Sequence, residues 1–521
     1  MIRYVLVLSI VSLLSTQYGE CAKILGIFPL NGHSHWTPNK ALLEELAKRG
    51  HEVTVVGHFP RKTPLANYKD ISLAGTLPDF VNNVSYSFVT QMGFMGGAFV
   101  IWSMAGAELC KNLLHTPQLQ DLAKSNEKYD LILTETFGTD CFLSYVHKFK
   151  APWISMSCAI PFDWMAEQVD MPVLPSTSPL MLTSYPDQMN FWERTGNFLT
   201  HIFTFFGYHY MSRVPSQKIA REVFPEVPDL HDLSRSASLL LSNSYFSLTG
   251  SKPSVPAHVE VGGIHISPEA SPLPQDIQKL LDNAKQGVIY FSFGSMVQSE
   301  TLPRKSLEAM LAAFSRRPQL VLWKANPKNF PPGLVVPKNV ITQKWLPQRD
   351  ILAHPNIKVF VTHGGLLGTM EGVHTAVPML GVPMFGDQLA NIKNYVRRGI
   401  AIMVTVQEIE DKFEKALEEI MSNKTYKETA MKVSQQFRDR PQTPLETAVF
   451  WTEYVIRHKG APQLRTPGRY LQWYQIWLFD VIAFVIAVVL SFLLVVYCSC
   501  KMMFRSCRKP AKTKDVKKKR N

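Results

Sequence analysis

The chain has 521 residues, too many for one ordinary hydrophobic core, so two domains with appendages are expected. Hydrophobic residues make up 46% and charged residues 19%, which suits a globular protein with some membrane-embedded length. The net charge of +13 does not indicate a nucleic-acid partner, because ten Lys or Arg against the single Asp515 lie in the last 21 residues and the remainder is near balance.

In chain order, Met-Ile-Arg followed by an apolar run from Tyr4 to Leu14 and small residues up to Ala22 reads as a secretory signal over residues 1–22, with cleavage between Gly19 and Ala22. A strand from Lys23 to Pro29, a loop, a helix from about Thr37 to Arg49 and a strand from His51 to Val56 make a βαβ unit, which implies a parallel sheet covered on both faces. The alternation returns at Tyr129–Thr134, Asp140–Lys150 and Trp153–Ser157, completing an N-terminal domain over 23–247. Residues 248–275 are rich in Pro and Gly and are read as an interdomain linker. Strands are then expected at Val288–Phe293, Leu320–Trp323, Val340–Thr342, Lys358–Thr362 and Met379–Val382, with helices from Pro303, Leu366 and Leu389, in a second domain over 276–440. The fold class is therefore α/β, with two Rossmann-like domains facing a cleft.

A C-terminal helix and juxtamembrane segment, 441–475, precede the apolar stretch Ile476–Cys500, whose 25 residues give about 37 Å of helix, enough to cross a bilayer. The basic tail 501–521 implies a cytoplasmic C-terminus and a luminal remainder. Lys518 and Lys519 match a di-lysine retrieval signal, with an anionic-lipid patch as the other reading. Only Cys110, Cys141 and Cys158 fall in the luminal part, an odd count that does not describe a disulfide framework. Asn83 and Asn423 head glycosylation sequons.

The densest chemistry lies in Trp345-Leu-Pro-Gln348, in His363-Gly-Gly365-Leu-Leu-Gly368-Thr369-Met-Glu371 and in Asp387-Gln388. A strand ending in His-Gly-Gly and turning into a helix presents backbone N–H groups to an anion, and His363 adds a donor beside a diphosphate. Glu371 suits a ribose diol, Trp345 a planar base, and Asp387-Gln388 ends another strand-loop at the same sheet edge. His35, in the first βα loop with His33, stands at the cleft-facing edge of the sheet, where an imidazole can take the proton from an acceptor hydroxyl and needs a carboxylate to orient it. His33 and His35 lack an accompanying cluster, and no Asp-x-Asp occurs, so no metal is expected.

The stretch from Trp345 to Gln388 resembles the signature of the membrane-bound UDP-glycosyltransferases of animals, the UDP-glucuronosyl- and UDP-glucosyltransferases, and Thr139-Asp-Cys-Phe142 looks most like insect members. The resemblance extends over nearly the whole chain. It implies a GT-B fold with the acceptor on the N-terminal domain and the donor on the C-terminal one, plus one transmembrane helix. It implies that Trp345 and Gln348 meet the uracil and ribose, Glu371 the ribose hydroxyls, and Ser295, His363, Gly365, Gly368 and Thr369 the diphosphate. Asp387 and Gln388 would meet the sugar, and His35 would be the base, oriented either by Glu135, which holds the position of the relatives' Asp, or by Asp140, which matches its residue type and is slightly favoured. It further implies inverting, metal-independent, detoxification-type transfer from a UDP-sugar co-substrate, glucose before glucuronate, to small lipophilic acceptors at the endoplasmic reticulum membrane. Relatives often have Asn where Leu367 stands, so one phosphate contact is absent or replaced. A homo-oligomer is compatible with the sequence. The other readings are a transferase acting on a lipid or protein in the secretory pathway, and a non-catalytic binding module of the same fold.

Overall fold

The computed structural model describes residues 21–78, 81–90 and 93–507. The signal segment, apart from its last two residues, and the end of the basic tail lie outside them. The chain divides into two compact units, Met1–Arg465 and Thr466–Asn521.

The first unit holds two parallel sheets. One has seven strands, β1 Lys23–Phe28, β2 Glu52–Gly57, β3 Tyr68–Ser72, β4 Leu131–Glu135, β5 Trp153–Ser157, β6 Leu239–Ser242 and β7 His258–Glu260, ordered β3-β2-β1-β4-β5-β6-β7. The other has six, β8 Val288–Ser292, β9 Leu320–Lys324, β10 Val340–Gln343, β11 Ile357–Thr362, β12 Met379–Gly381 and β13 Ala401–Met403, ordered β10-β9-β8-β11-β12-β13. Every strand pairing is parallel. The central strands read as continuous apolar runs because both faces are covered. In β8, Ile289 and Phe291 join one core cluster while Val288 and Tyr290 join the other. In both sheets the order reverses beside the first strand, between β1 and β4 and between β8 and β11. Chain crossovers leave a crevice there at the carboxyl ends.

Several expectations are corrected. The first helix spans His33–Lys48 rather than starting at Thr37, with Gly32 at its N-cap and Pro38 inside it. Pro38 lacks the N–H that would reach the Ser34 carbonyl, and on either side of that carbonyl side chains reinforce the turn: Thr37 Oγ1 donates to the His33 carbonyl and Asn39 Nδ2 to that of His35, each at 2.8 Å. His35 thus stands in a helical first turn, not a loop. The span read as a linker contains β7, the edge strand of the first sheet. Short or polar strands β3, β6, β7 and β13 were beyond the hydrophobic pattern. Cys110 and Cys141 form a disulfide and Cys158 stays free, so the odd count concealed one pair plus one thiol. The helix Pro444–Arg457 packs on His33–Lys48, and Ala448, Val449 and Val455 are buried in the core of the first sheet.

The second unit carries the helix Phe479–Cys507, of which Phe479–Ser506 is long and apolar enough to cross a membrane by length and composition. It starts three residues later than expected and runs beyond Cys500, taking in Lys501 and Arg505. Asp480 lies in its first turn.

Candidate active site

Three strand ends of the first sheet converge on one imidazole. His35 follows β1, Glu135 closes β4, and Cys158 follows β5. The register Ile27↔Thr134 and Thr134↔Ser155 sets these ends level. His35 Nδ1 lies 3.0 Å from both Glu135 carboxylate oxygens. The ionised carboxylate only accepts, so Nδ1–H donates and the Nε2 lone pair is left available. Glu135 is 4% exposed at its side chain and His35 17%, so the carboxylate is enclosed and the ring reaches the crevice. Phe137 lies edge-on to the His35 ring at 4.5 Å.

Asp140 is not the partner. It is fully buried and bound elsewhere: Arg213 Nε donates to its Oδ2 at 2.6 Å and Tyr208 Oη to its Oδ1 at 2.8 Å. Nor does its side chain cap the helical turn that follows. The structure brings Glu135 to His35 and assigns Asp140 to a buried ion pair beside the Cys110–Cys141 disulfide.

The second sheet supplies the facing wall. His363 follows β11 and is flanked by glycines after β8 and β11: a Cβ on Gly294 would lie 2.7 Å from its Cε1, and one on Gly365 would lie 2.6 Å from its Nε2. Burial first, and the nearby Lys324 charge second, push its pKa down to about 3, so the ring is neutral. Its Nδ1 is buried without a hydrogen-bond partner among the described residues. Gly365 is the N-cap of the helix Leu366–His374, whose first N–H groups therefore open onto this place. We expect Gly365→Ala to displace the imidazole at a cost of about 1–3 kcal/mol in donor binding, read as a UDP Kd raised about tenfold with little change in melting temperature.

Glu371 lies two turns into that helix. Gln348 Nε2 donates to its Oε2 at 2.6 Å, and burial raises its pKa to about 7 against the opposing Gln348 bond. A Cβ on Gly368 would stand 2.9 Å from Gln348 Nε2, so that glycine makes room for the amide. Trp345 is 54% exposed, with the His33 ring 5.7 Å away and Lys324 Nζ 5.3 Å from its centroid. Asp387, at the N-cap of Gln388–Arg397, accepts from Asn391 Nδ2 at 2.7 Å. Burial raises its pKa, and it is close enough to His35 and Cys158 to interact with both electrostatically. Gln388 Oε1 holds the Met384 and Phe385 N–H groups at 2.9 and 3.2 Å, fixing the Asp387 loop. Ser295 is half-buried, with its carbonyl accepting from Asn82 N–H at 2.8 Å.

Thr369 is placed differently from the expectation. It is fully buried and its hydroxyl is spent on the Gly365 and Leu366 carbonyls at 3.1 and 3.0 Å, so it does not offer a free donor. Leu367 packs partly against the core, and its carbonyl faces His265 Nε2 at 3.3 Å.

Residues that sequence reasoning missed include Lys324, at the carboxyl end of β9. It donates to Asn82 Oδ1 at 2.7 Å and to the Gly294 carbonyl at 2.6 Å, and burial lowers its pKa to about 8. A lysine closing a buried strand was the available signal. Asn82 and Val84 also bridge the two halves, donating to Ser295 and Met296. Asn83 and Asn423 are both exposed.

On the helix Phe191–Tyr208, Phe191, Trp192, Phe205 and Phe206 are exposed, while Phe203 packs against Trp102. Behind His35 and Phe137 stands Phe162, 5.7 Å from Phe137, and beyond it opens a cavity of about 580 Å³ lined by residues including Phe162, Met171, Leu180, Tyr245 and Trp451.

Two switch-point crevices, one with an imidazole oriented by a carboxylate and the other with a neutral imidazole between glycines at a helix N-terminus, are the arrangement expected of a two-domain enzyme that binds a nucleotide-activated group. The chain belongs to the family described as UDP-glucoronosyl and UDP-glucosyl transferase, whose model matches residues 22–514. It is 37% identical over 510 residues to UDP-glucosyltransferase 2 of Dactylopius coccus, covering 97% of each chain. It is 33% identical to UDP-glucuronosyltransferase 1A9 of Mus musculus, covering 95% of this chain and 94% of that one. The fold is similar to that of a solved UDP-glucose: anthocyanidin 3-O-glucosyltransferase in complex with UDP, with a TM-score of 0.53 at 17% identity, covering 84% of this chain and 99% of that one. The fold class is thus GT-B, and the chain is a UDP-sugar-dependent glycosyltransferase for small acceptors.

Proposed function

We propose that the enzyme transfers glucose from UDP-glucose to a hydroxyl of a small lipophilic molecule, with inversion at the anomeric carbon, in a detoxification role. The observation that carries this is the His35–Glu135 pair at the crevice between β1 and β4, with Asp387 of the second sheet interacting with it electrostatically. His35 Nε2 takes the acceptor proton as the acceptor oxygen bonds to the anomeric carbon, and the bond from that carbon to the UDP oxygen breaks. Glu135 holds the tautomer and stabilises the imidazolium. His363 and the N-terminus of Leu366–His374 receive the charge that develops on the leaving diphosphate, without a metal cofactor in this scheme. Trp345 and Gln348 take the base and ribose, Ser295, Gly365 and Gly368 line the diphosphate, and Asp387 and Gln388 meet the sugar. Glucose is preferred over glucuronate because the relative at 37% identity is named a glucosyltransferase.

The helix Phe479–Cys507 would cross the membrane once. Lys501 and Arg505 at its end favour a cytoplasmic C-terminal side, and the Cys110–Cys141 disulfide suits an oxidising lumen for the rest. The endoplasmic reticulum is the proposed compartment, with Asn83 and Asn423 available for glycosylation.

Microsomal protein supplied with labelled UDP-glucose or UDP-glucuronate and a panel of phenols tests the proposal. Glucoside formation is the expected result, glucuronide alone would change the donor, and no product from either would overturn the function. The ribose hydroxyls donate, so they need Glu371 ionised. With its pKa raised to about 7, binding below that pH must first expel a proton. UDP Kd should therefore rise about five- to sixfold between pH 7 and pH 6, and Glu371→Gln should flatten the profile.

A further inference from the structure

We propose that His35, Glu135 and Cys158 form a zinc site that holds the enzyme inactive when filled. Their ligand atoms all lie within 4.8 Å of one another. Cys158 Sγ is 2.9 Å from His35 Nδ1, which is itself 3.0 Å from the Glu135 oxygens. A thiolate, an imidazole and a carboxylate are the donor types of zinc sites, with bonds of about 2.0–2.3 Å. Three protein ligands leave a fourth position open, as in zinc sites that keep a water. The side toward the crevice, where His35 reaches the surface, is the entry.

The set is held in place by its surroundings. The Cys158 N–H donates to Glu135 Oε1 at 3.3 Å, Asn243 Nδ2 donates to the Cys158 carbonyl at 3.1 Å, and Phe137 braces the imidazole. Such supporting contacts orient ligands before the metal arrives. None of them depends on sugar transfer, and the scheme above gives Cys158 no part in that reaction.

Filling the site has a defined proton balance. Cys158 gives its thiol proton to solvent as the sulfur–zinc bond forms. The imidazole stays neutral, but zinc occupies Nδ1, so the ring proton moves to Nε2. The nitrogen that must accept the acceptor's proton then carries one already. Glu135 exchanges its hydrogen bond to His35 for a bond to the metal. Inhibition follows from occupancy of the tautomer-setting nitrogen, not from blocking the donor cradle, so UDP binding is spared.

The inhibitory part rests on the proposed role of His35, whereas the site itself does not, and two readouts separate them. Full-length protein in detergent is titrated with cadmium alone and followed by the ultraviolet sulfur-to-cadmium charge-transfer band. In parallel, zinc is added to the transfer assay and withdrawn with a chelator. Cys158→Ser and Cys158→Ala serve as variants, each referred to its own metal-free rate and its own melting temperature. The expected result is a band that shrinks by one site in both variants, with reversible zinc inhibition at least about tenfold weaker in them. An undiminished band, or equal zinc sensitivity in wild type and both variants, would overturn the proposal. A band lost with Cys158 while zinc leaves wild-type transfer untouched would keep the site and overturn the role of His35.

Discussion

Glu135→Gln is expected to lower turnover by about 10²–10⁴-fold while UDP binding and melting temperature stay close to wild type. The amide is nearly isosteric and can still accept from the Cys158 N–H, so the packing around the strand end survives. It cannot stabilise an imidazolium by charge. Through its own N–H it can also impose the opposite tautomer, leaving the proton on the nitrogen that faces the acceptor. His35→Ala should show a loss of similar or greater size. The two losses should not multiply in the double variant, because the residues act as one unit. A rate within a few-fold of wild type for Glu135→Gln, measured at saturating donor and acceptor, would remove the carboxylate from the mechanism.

Asp140→Asn is expected to do the reverse, destabilising the protein without altering chemistry in the molecules that remain folded. The side chains of Asp140 and Arg213 are 0% and 6% exposed, and Arg213 Nη2 has no hydrogen-bond partner among the described residues. Neutralising the acid leaves a buried guanidinium whose remaining nearby countercharge among the described residues is Glu167, at 3.7 Å. Breaking a buried pair in this way costs about 3–5 kcal/mol, which for a cooperative unit of this size lowers the melting temperature by roughly 5 °C. Turnover per folded molecule, normalised to UDP-binding sites, should stay within about threefold, since the carboxylate touches neither His35 nor the cradle. Measured together, the two variants separate the acids five residues apart, between which the sequence slightly favoured Asp140. A rate loss in Asp140→Asn as large as in Glu135→Gln would undo that separation.

Much of the fold was legible because parallel strands buried on both faces leave continuous apolar runs, as in Leu131–Thr134 and Val288–Ser292. Strands such as Tyr68–Ser72, at an edge and mixed in polarity, leave no such trace. The donor cradle was legible because its parts are local: His363, Gly365, Gly368 and Glu371 occupy one strand end and one helix, and their spacing carries the geometry. The partner of His35 was not, since it depends on the register between β1, β4 and β5 and on where Arg213 lies, 73 residues beyond Asp140 in sequence. A carboxylate is claimed by whichever cation reaches it, and that is a tertiary fact. Thr369 was misplaced for a related reason: a threonine inside a helix can turn its hydroxyl back to a carbonyl three or four residues earlier, and sequence does not say which way it turns.

The packing of Pro444–Arg457 against His33–Lys48 bears on how the polypeptide is made. The first sheet and its helices emerge early in synthesis, yet their core counts Ala448, Val449, Val455, Ala461 and Leu464 among its members. Until the ribosome has passed those codons, some 200 residues beyond β7, the N-terminal half has an uncovered apolar flank that only its own distant continuation can close. The nascent chain must therefore be shielded over that interval, and the transferase is finished as one cooperative object rather than as two domains in succession.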